Sequence, residues 1–171
     1  MDSISEAPRS EPPIRSELML PEGLEAGLAG AFAVVAVYLM RDMAIGEPLN
    51  TPSVLGTLLF EGLDAAREVR SAPGAAAAYN ALHLSVWTAF GFLLSSLMSL
   101  VEKAPKWRLL PWAAGVCSLL TMVALDLWVG ETDLARPHLW LGGLAGLVSM
   151  VAYLAWRHPR AMAHLVSRGR F

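Results

Sequence analysis

Charge is what this chain has least of. Asp, Glu, Lys and Arg make up 16% of its 171 residues, against about a quarter in an ordinary soluble domain. The shortage is concentrated. Ser71–Val101, Leu109–Leu125 and Pro137–Trp156 contain none of the four, and Ala26–Met40 runs uninterrupted between Glu25 and Arg41. Cysteine is nearly absent too: Cys117 alone excludes an intramolecular disulfide and a four-thiolate zinc or iron–sulfur site. Set among Val116, Ser118 and Leu119, it reads as a small buried apolar residue. No GxSxG, HExxH, Gly-rich phosphate loop or pair of intramembrane carboxylates occurs, so no catalytic residue is assigned and a non-enzymatic protein is expected. The 13 Lys and Arg carry no groove-reading motif, so nothing points to nucleic acid.

What is there is hydrophobic length. Crossing the hydrocarbon core as a helix takes about 20 mostly apolar residues, and four segments meet or approach that length: 24–40, 79–101, 109–129 and 139–156. The expected fold is all-α, a polytopic membrane protein with four transmembrane helices in an up-down bundle, because the connection Glu102–Arg108 is too short for anything but antiparallel neighbours. Residues 1–22, with five acids, four prolines and two arginines, read as a disordered cytoplasmic tail. They lack the apolar core of a cleavable signal, so the first span is expected to stay in the mature protein.

Between the first two spans, Gly46, Pro48 and Pro52 break the helix. Thr51 reads as an N-cap with Pro52 at the first helical position. Residues 52–70 then place Val54, Leu55, Leu58, Leu59 and Leu63 on one stripe and Ser53, Thr57, Glu61, Asp64 and Glu68 on the other, the pattern of an amphipathic helix lying in the interface. Small residues line two spans: Gly23, Gly27 and Ala31 in the first, Gly142, Gly146 and Ser149 in the fourth. Such faces let a helix approach closely, as a partner membrane protein or a second copy would. Trp107, Trp112, Trp128, Trp140, Trp156 and Tyr79 fall near span ends, where amphipathic rings favour the headgroup zone.

Lys and Arg set the orientation. Four spans put Arg9, Arg15, Lys103, Lys106, Arg108, Arg157, Arg160, Arg168 and Arg170 on one side, and Arg41, Arg67, Arg70 and Arg136 on the other. The richer side is retained in the cytoplasm, so both termini are expected inside an inner (plasma) membrane, with 158–171 as a basic cytoplasmic tail within reach of anionic lipid.

The same topology gathers ionisable groups at the outer end: Arg41 and Asp42 closing span one, His83 a turn inside span two, Asp126 a turn inside span three, and Arg136 with His138 opening span four. Charge at lipid depth is costly and finds partners. Three uses compete. Asp126 could pair with Arg41 or His83 and fix helix register. His83, Asp126 and His138, with Glu131, could hold a metal, although no HxxxH pair supports it. Or Arg41, Asp42, Glu47, His83, Asp126 and His138 could floor a site for a small ligand or a partner's side chain, lidded by the interfacial helix and the Glu47-Pro48 turn. Bis-histidine haem is disfavoured, because His83 and His138 differ in depth by about 5 Å and His158 and His164 lie at the other end. Transport would usually show charges near mid-membrane, which spans two and four lack.

The run Gly46-Glu47-Pro48-Leu49-Asn50-Thr51-Pro52-Ser53-Val54-Leu55-Gly56, a His in the second span and the closing Arg157-His158-Pro159 resemble a group of small uncharacterised four-span bacterial integral membrane proteins. The resemblance spans most of the chain from residue 24 and implies topology, with no activity and no catalytic residue. The expected function is an accessory or partner-binding membrane subunit using its outer face, in contact with the bilayer and without a cofactor. The alternative is a metal- or cofactor-binding enzyme or redox subunit using His83 and Asp126.

Overall fold

The computed structural model describes residues 15–69, 71–131 and 139–166. Among them are seven α-helices, one 3-10 turn and no strand. Helix α1 (Arg15–Ala44), α4 (Pro73–Lys103), α5 (Leu109–Glu131) and α6 (Leu139–Arg157) are the long elements. Each contains a stretch long and apolar enough to cross a membrane: Leu20–Ala44, Pro73–Lys103, Pro105–Val129 (which includes the 3-10 turn) and Leu139–Arg157. The short ones are α2 (Asn50–Phe60), α3 (Leu63–Glu68) and α7 (Pro159–Val166).

The structure corrects the sequence reading at several points. The helix expected from residue 24 begins at Arg15 and carries Pro21 inside it. Local composition could not show why: Glu22 ion-pairs with Arg157 at 2.8 Å and Glu25 accepts a hydrogen bond from the Tyr153 hydroxyl, so contacts with α6 order a segment too polar to order itself. The tail residues 1–14 lie outside the described residues. The supposed basic tail from 158 is helical through Val166, with His158 and Ala161 buried; residues 167–171 lie outside the described residues.

The helix expected over 52–70 is two helices. The N–H groups of Glu61 and Gly62 both turn back to the Thr57 carbonyl, and Gly62 takes φ +100°, a conformation open to glycine, before α3 starts. Val54, Leu55 and Leu58 of the expected apolar stripe are buried and Glu61, Asp64 and Glu68 are exposed, but α2 is buried on its polar face as well. Thr51, Ser53 and Thr57 are buried while Leu59 and Phe60 are exposed. Cys117 is exposed on α5 rather than buried.

Packing explains how the bundle holds its shape. Helices α1 and α4 touch backbone to backbone: a β-carbon added to Gly91 would lie 2.3 Å from the Gly23 carbonyl oxygen and 2.5 Å from the Gly27 nitrogen. One added to Gly27 would lie 2.5 Å from Thr88 Cα. Farther along the pair the side chains are larger, with Tyr38 on α1 and Trp87, His83 and Tyr79 on α4, and α2 packs against α4. There Gly56 meets the Ala75 carbonyl, and the buried Ser53 hydroxyl accepts the Ala72 N–H at 3.1 Å, capping the start of α4. The small face of α6 receives aromatic rings, Tyr38 over Gly142 and Trp87 over Gly146. The glycine faces of α1 and α6 are thus occupied within the molecule. Helix α5 rests chiefly on α6 and exposes Trp112, Val116, Leu120, Leu127 and Trp128.

Candidate functional site

The ionisable residues at the Arg41 end separate into two structural devices and one unsatisfied group. The first device is a corner. Helix α1 ends at Ala44, the Glu47 N–H returns to the Asp42 carbonyl at 2.9 Å, and Leu49 adopts φ 70° before α2 begins at Asn50. A left-handed leucine is strained. What holds it is Asp42, only 1% exposed: its carboxylate accepts the Thr51 N–H at 2.7 Å and the Thr51 hydroxyl at 2.6 Å. Arg41 donates to Asp42 and to the Thr51 hydroxyl, both at 3.1 Å. Asp42, in the last turn of α1, therefore does the work that the sequence assigned to Thr51, and its negative charge meets the positive end of α2. The Glu47 side chain stands exposed and contributes backbone bonds to the corner.

The second device is also a cap. Asp126 Oδ1 accepts the Leu139 N–H at 2.7 Å, so the carboxylate expected to pair with Arg41 or His83 anchors the first residue of α6 to α5. Tyr38 donates to the carbonyl of the same Leu139 at 3.4 Å. His138, and with it the third proposed metal ligand, lies outside the described residues. Among the described residues, no group of three His, Cys, Asp or Glu side chains is placed to hold a metal ion.

His83 is different. Its ring stacks on Tyr79 with centroids 5.7 Å apart and tilts against Trp87 at 6.1 Å, continuing an aromatic row along α4. One ring nitrogen bonds the Ala31 backbone. The other, Nε2, is buried with no hydrogen-bond partner among the described residues. A cavity of about 130 Å³ lies on one side, lined by Val34, Leu55, Leu58, Trp87, Met122 and Val129 among others. A second, of about 110 Å³, lies on the other, lined by Val35, Leu39, Asp42, Leu49 and Pro52. Tyr38, Tyr79 and His83 border both. Sequence reasoning found His83 and missed Tyr38 and Trp87. The spacing of Tyr79, His83 and Trp87 at i, i+4 and i+8 was the available signal.

Comparison with known protein families, with curated proteins and with solved structures gives no match.

Proposed function

We propose that this is a polytopic subunit of a plasma membrane, its four long helices running up and down through the bilayer, and that it works by binding in the outer half of the bundle. The nine-to-four division of Lys and Arg supports cytoplasmic termini and assigns the Arg41 corner, α2 and α3 to the outer interface. The observation that carries the reading is the contrast between the two ends. At the Gly91 end, helices α1 and α4 meet backbone to backbone. At the other end α2 packs on α4, two cavities border the His83 side chain, and its Nε2 is buried without a partner. A buried polar atom without a partner is costly, and a bound group is one of the ways a native chain satisfies it. The neighbouring acids, by contrast, are committed to capping.

An accessory role, holding a small molecule or a partner's side chain, fits that distribution. The test is purification from native membranes of the wild type, of Leu58→Trp, which fills the cavity, and of Val148→Trp on the exposed face of α6. A co-purifying molecule or protein should be lost from Leu58→Trp and kept by Val148→Trp. Identical retention by all three would overturn the outer-half site.

A further inference from the structure

We propose that one acyl chain of an anionic glycerophospholipid lies in the groove between α4 and α5 at the basic end of the bundle, with its phosphate over the connection that joins those two helices. The groove is at the opposite end of the molecule from His83, and the proposal does not rest on the outer-half reading.

The groove has a volume of about 250 Å³. Its floor is Leu94, Met98 and Leu154, each 4% exposed or less, while Trp112, Val116 and Val151 on its rim are exposed, so it opens sideways out of the bundle. Gly115 lines it as well. A β-carbon added there would have Leu147 Cδ2 as its nearest neighbour, 4.0 Å away, so the α5 wall is recessed at that point.

Depth decides what fills it. The innermost lining residues of α4, α5 and α6 are Leu94, Leu119 and Leu147. At 1.5 Å per residue they stand about 15 Å from the helix ends at Lys103, Leu109 and Arg157, half the thickness of a hydrocarbon core of about 30 Å. All three stretches belong to segments long and apolar enough to cross a membrane. The groove thus runs the depth of one leaflet. Water needs two to four polar partners and finds walls built of aliphatic, thioether and indole side chains. A lipid chain of the same leaflet matches both the length and the chemistry.

Charge selects the headgroup. The connection between the two walls, residues 103–108, carries Lys103, Lys106 and Arg108. Lys103 and Lys106 are exposed, the Lys106 ammonium standing 5.5 Å over the Trp107 ring, and Arg108 comes one turn before Pro111 and Trp112 of the groove wall. Arg160 of α7 is exposed at the same end. The acids described there are turned to other partners: Glu102 to His158, Glu22 to Arg157 and Glu25 to the Tyr153 hydroxyl. A phosphate at this mouth therefore meets positive charge. The same charge disfavours a second copy as the occupant, because two chains inserted in one orientation would bring their basic connections to the same depth.

The experiment titrates the full chain, purified in a mild detergent, with dioleoyl phosphatidylglycerol and with dioleoyl phosphatidylcholine, which share their chains and differ in net charge. Native mass spectrometry counts the lipids bound. One phosphatidylglycerol should bind per chain about tenfold more tightly than phosphatidylcholine, since each basic residue near a lipid surface contributes about fivefold. Lys103→Gln combined with Lys106→Gln should remove most of that preference. Gly115→Leu, which fills the groove, should abolish the tight one-to-one binding, and Leu120→Trp, on the exposed flank of α5, should keep it. Equal affinities for the two lipids in the wild type overturn the proposal whether or not any variant folds. A preference that survives Gly115→Leu puts the lipid elsewhere and overturns it too. A dimer that Gly115→Leu dissociates, with no lipid held one-to-one, replaces the lipid by a second copy and overturns it as well.

Discussion

Asp42 and Thr51, nine residues apart, are joined by two hydrogen bonds of 2.7 and 2.6 Å that fasten the last turn of α1 to the first turn of α2. The carboxylate is buried and charge-assisted on both bonds, the stronger class of protein hydrogen bond. This corner sets where α2 enters the space beside α4, and hence the shape of the cleft around His83.

Removing the carboxylate should therefore cost more than removing the other acid in the region. Asp42→Ala orphans the Thr51 N–H and leaves Arg41 without its neighbouring anion, a loss of about 3 kcal/mol by analogy with broken buried pairs. Asp42→Asn keeps an acceptor and should lose about half of that. Asp126→Ala removes a helix cap, at a cost of about 1 kcal/mol. Because Arg41 and Asp126 make separate recorded bonds, Arg41→Ala combined with Asp126→Ala should be additive, with no recovery. Thermal unfolding in detergent reads all four; a double variant more stable than Asp126→Ala would mean that the two charges are coupled.

The glycines predict a change of sign. Alanine at Gly91 or Gly27 drives a methyl into the facing backbone at 2.3 to 2.7 Å, and backbone cannot rotate away as a side chain can. The helices must separate, at about 2 kcal/mol for each substitution. Gly115 on α5 has its nearest neighbour 4.0 Å away, at Leu147 Cδ2. Gly115→Ala should be neutral or stabilise by up to about 1 kcal/mol, through the usual gain on removing a helix-interior glycine. The same melting measurement checks both, and destabilisation at Gly115 equal to that at Gly91 would contradict the packing.

At the other end of the bundle His158 joins three helices. Its Nδ1 lies 3.2 Å from Glu102 of α4 and its Nε2 3.3 Å from Glu22 of α1, the latter an ion-pair approach without hydrogen-bond alignment. Both carboxylates are mostly shielded from solvent. His158→Ala removes the group that touches both and should destabilise by about 2 kcal/mol, the cost of a hydrogen bond to a charged group. Arg157, 34% exposed beside Glu22, should cost no more than about 1 kcal/mol when truncated. Hydrogen exchange should show the loss spreading to the ends of α1 and α7; protection unchanged in His158→Ala would remove the clasp from the account.

Charge-free length made the four long helices legible, and glycine spacing made a close approach by α1 legible without naming α4 as its partner. What could not be read was pairing across turns. Asp42 caps Thr51 because the chain reverses between them, and no local pattern at either residue announces it. The 52–70 stripe misled for a related reason. Periodicity detects two faces but not which one meets protein, and Ser53 can be buried because the Ala72 N–H is there to bond it. His83 stood out as an ionisable residue in an apolar span; its isolation from Asp126 depends on where Leu139 sits.

The burial of both faces of α2 gives a sided prediction. In a Cys117→Ser background, cysteines placed at Asp64, Thr57 and Arg160 should respond differently to a membrane-impermeant maleimide. The Asp64 side chain is fully exposed on α3, and if α3 lies at the outer interface it should label in intact cells. Thr57, 2% exposed against α4, should resist from either side, the opposite of what the polar stripe suggests. Arg160, exposed on α7, should label only after permeabilisation if the nine-to-four basic bias sets the orientation. Labelling at Thr57 equal to that at Asp64 would mean that α2 does not pack between α1 and α4, and the His83 cleft would lose one wall. Labelling of Arg160 in intact cells with Asp64 silent would invert the topology and turn the cleft toward the cytoplasm.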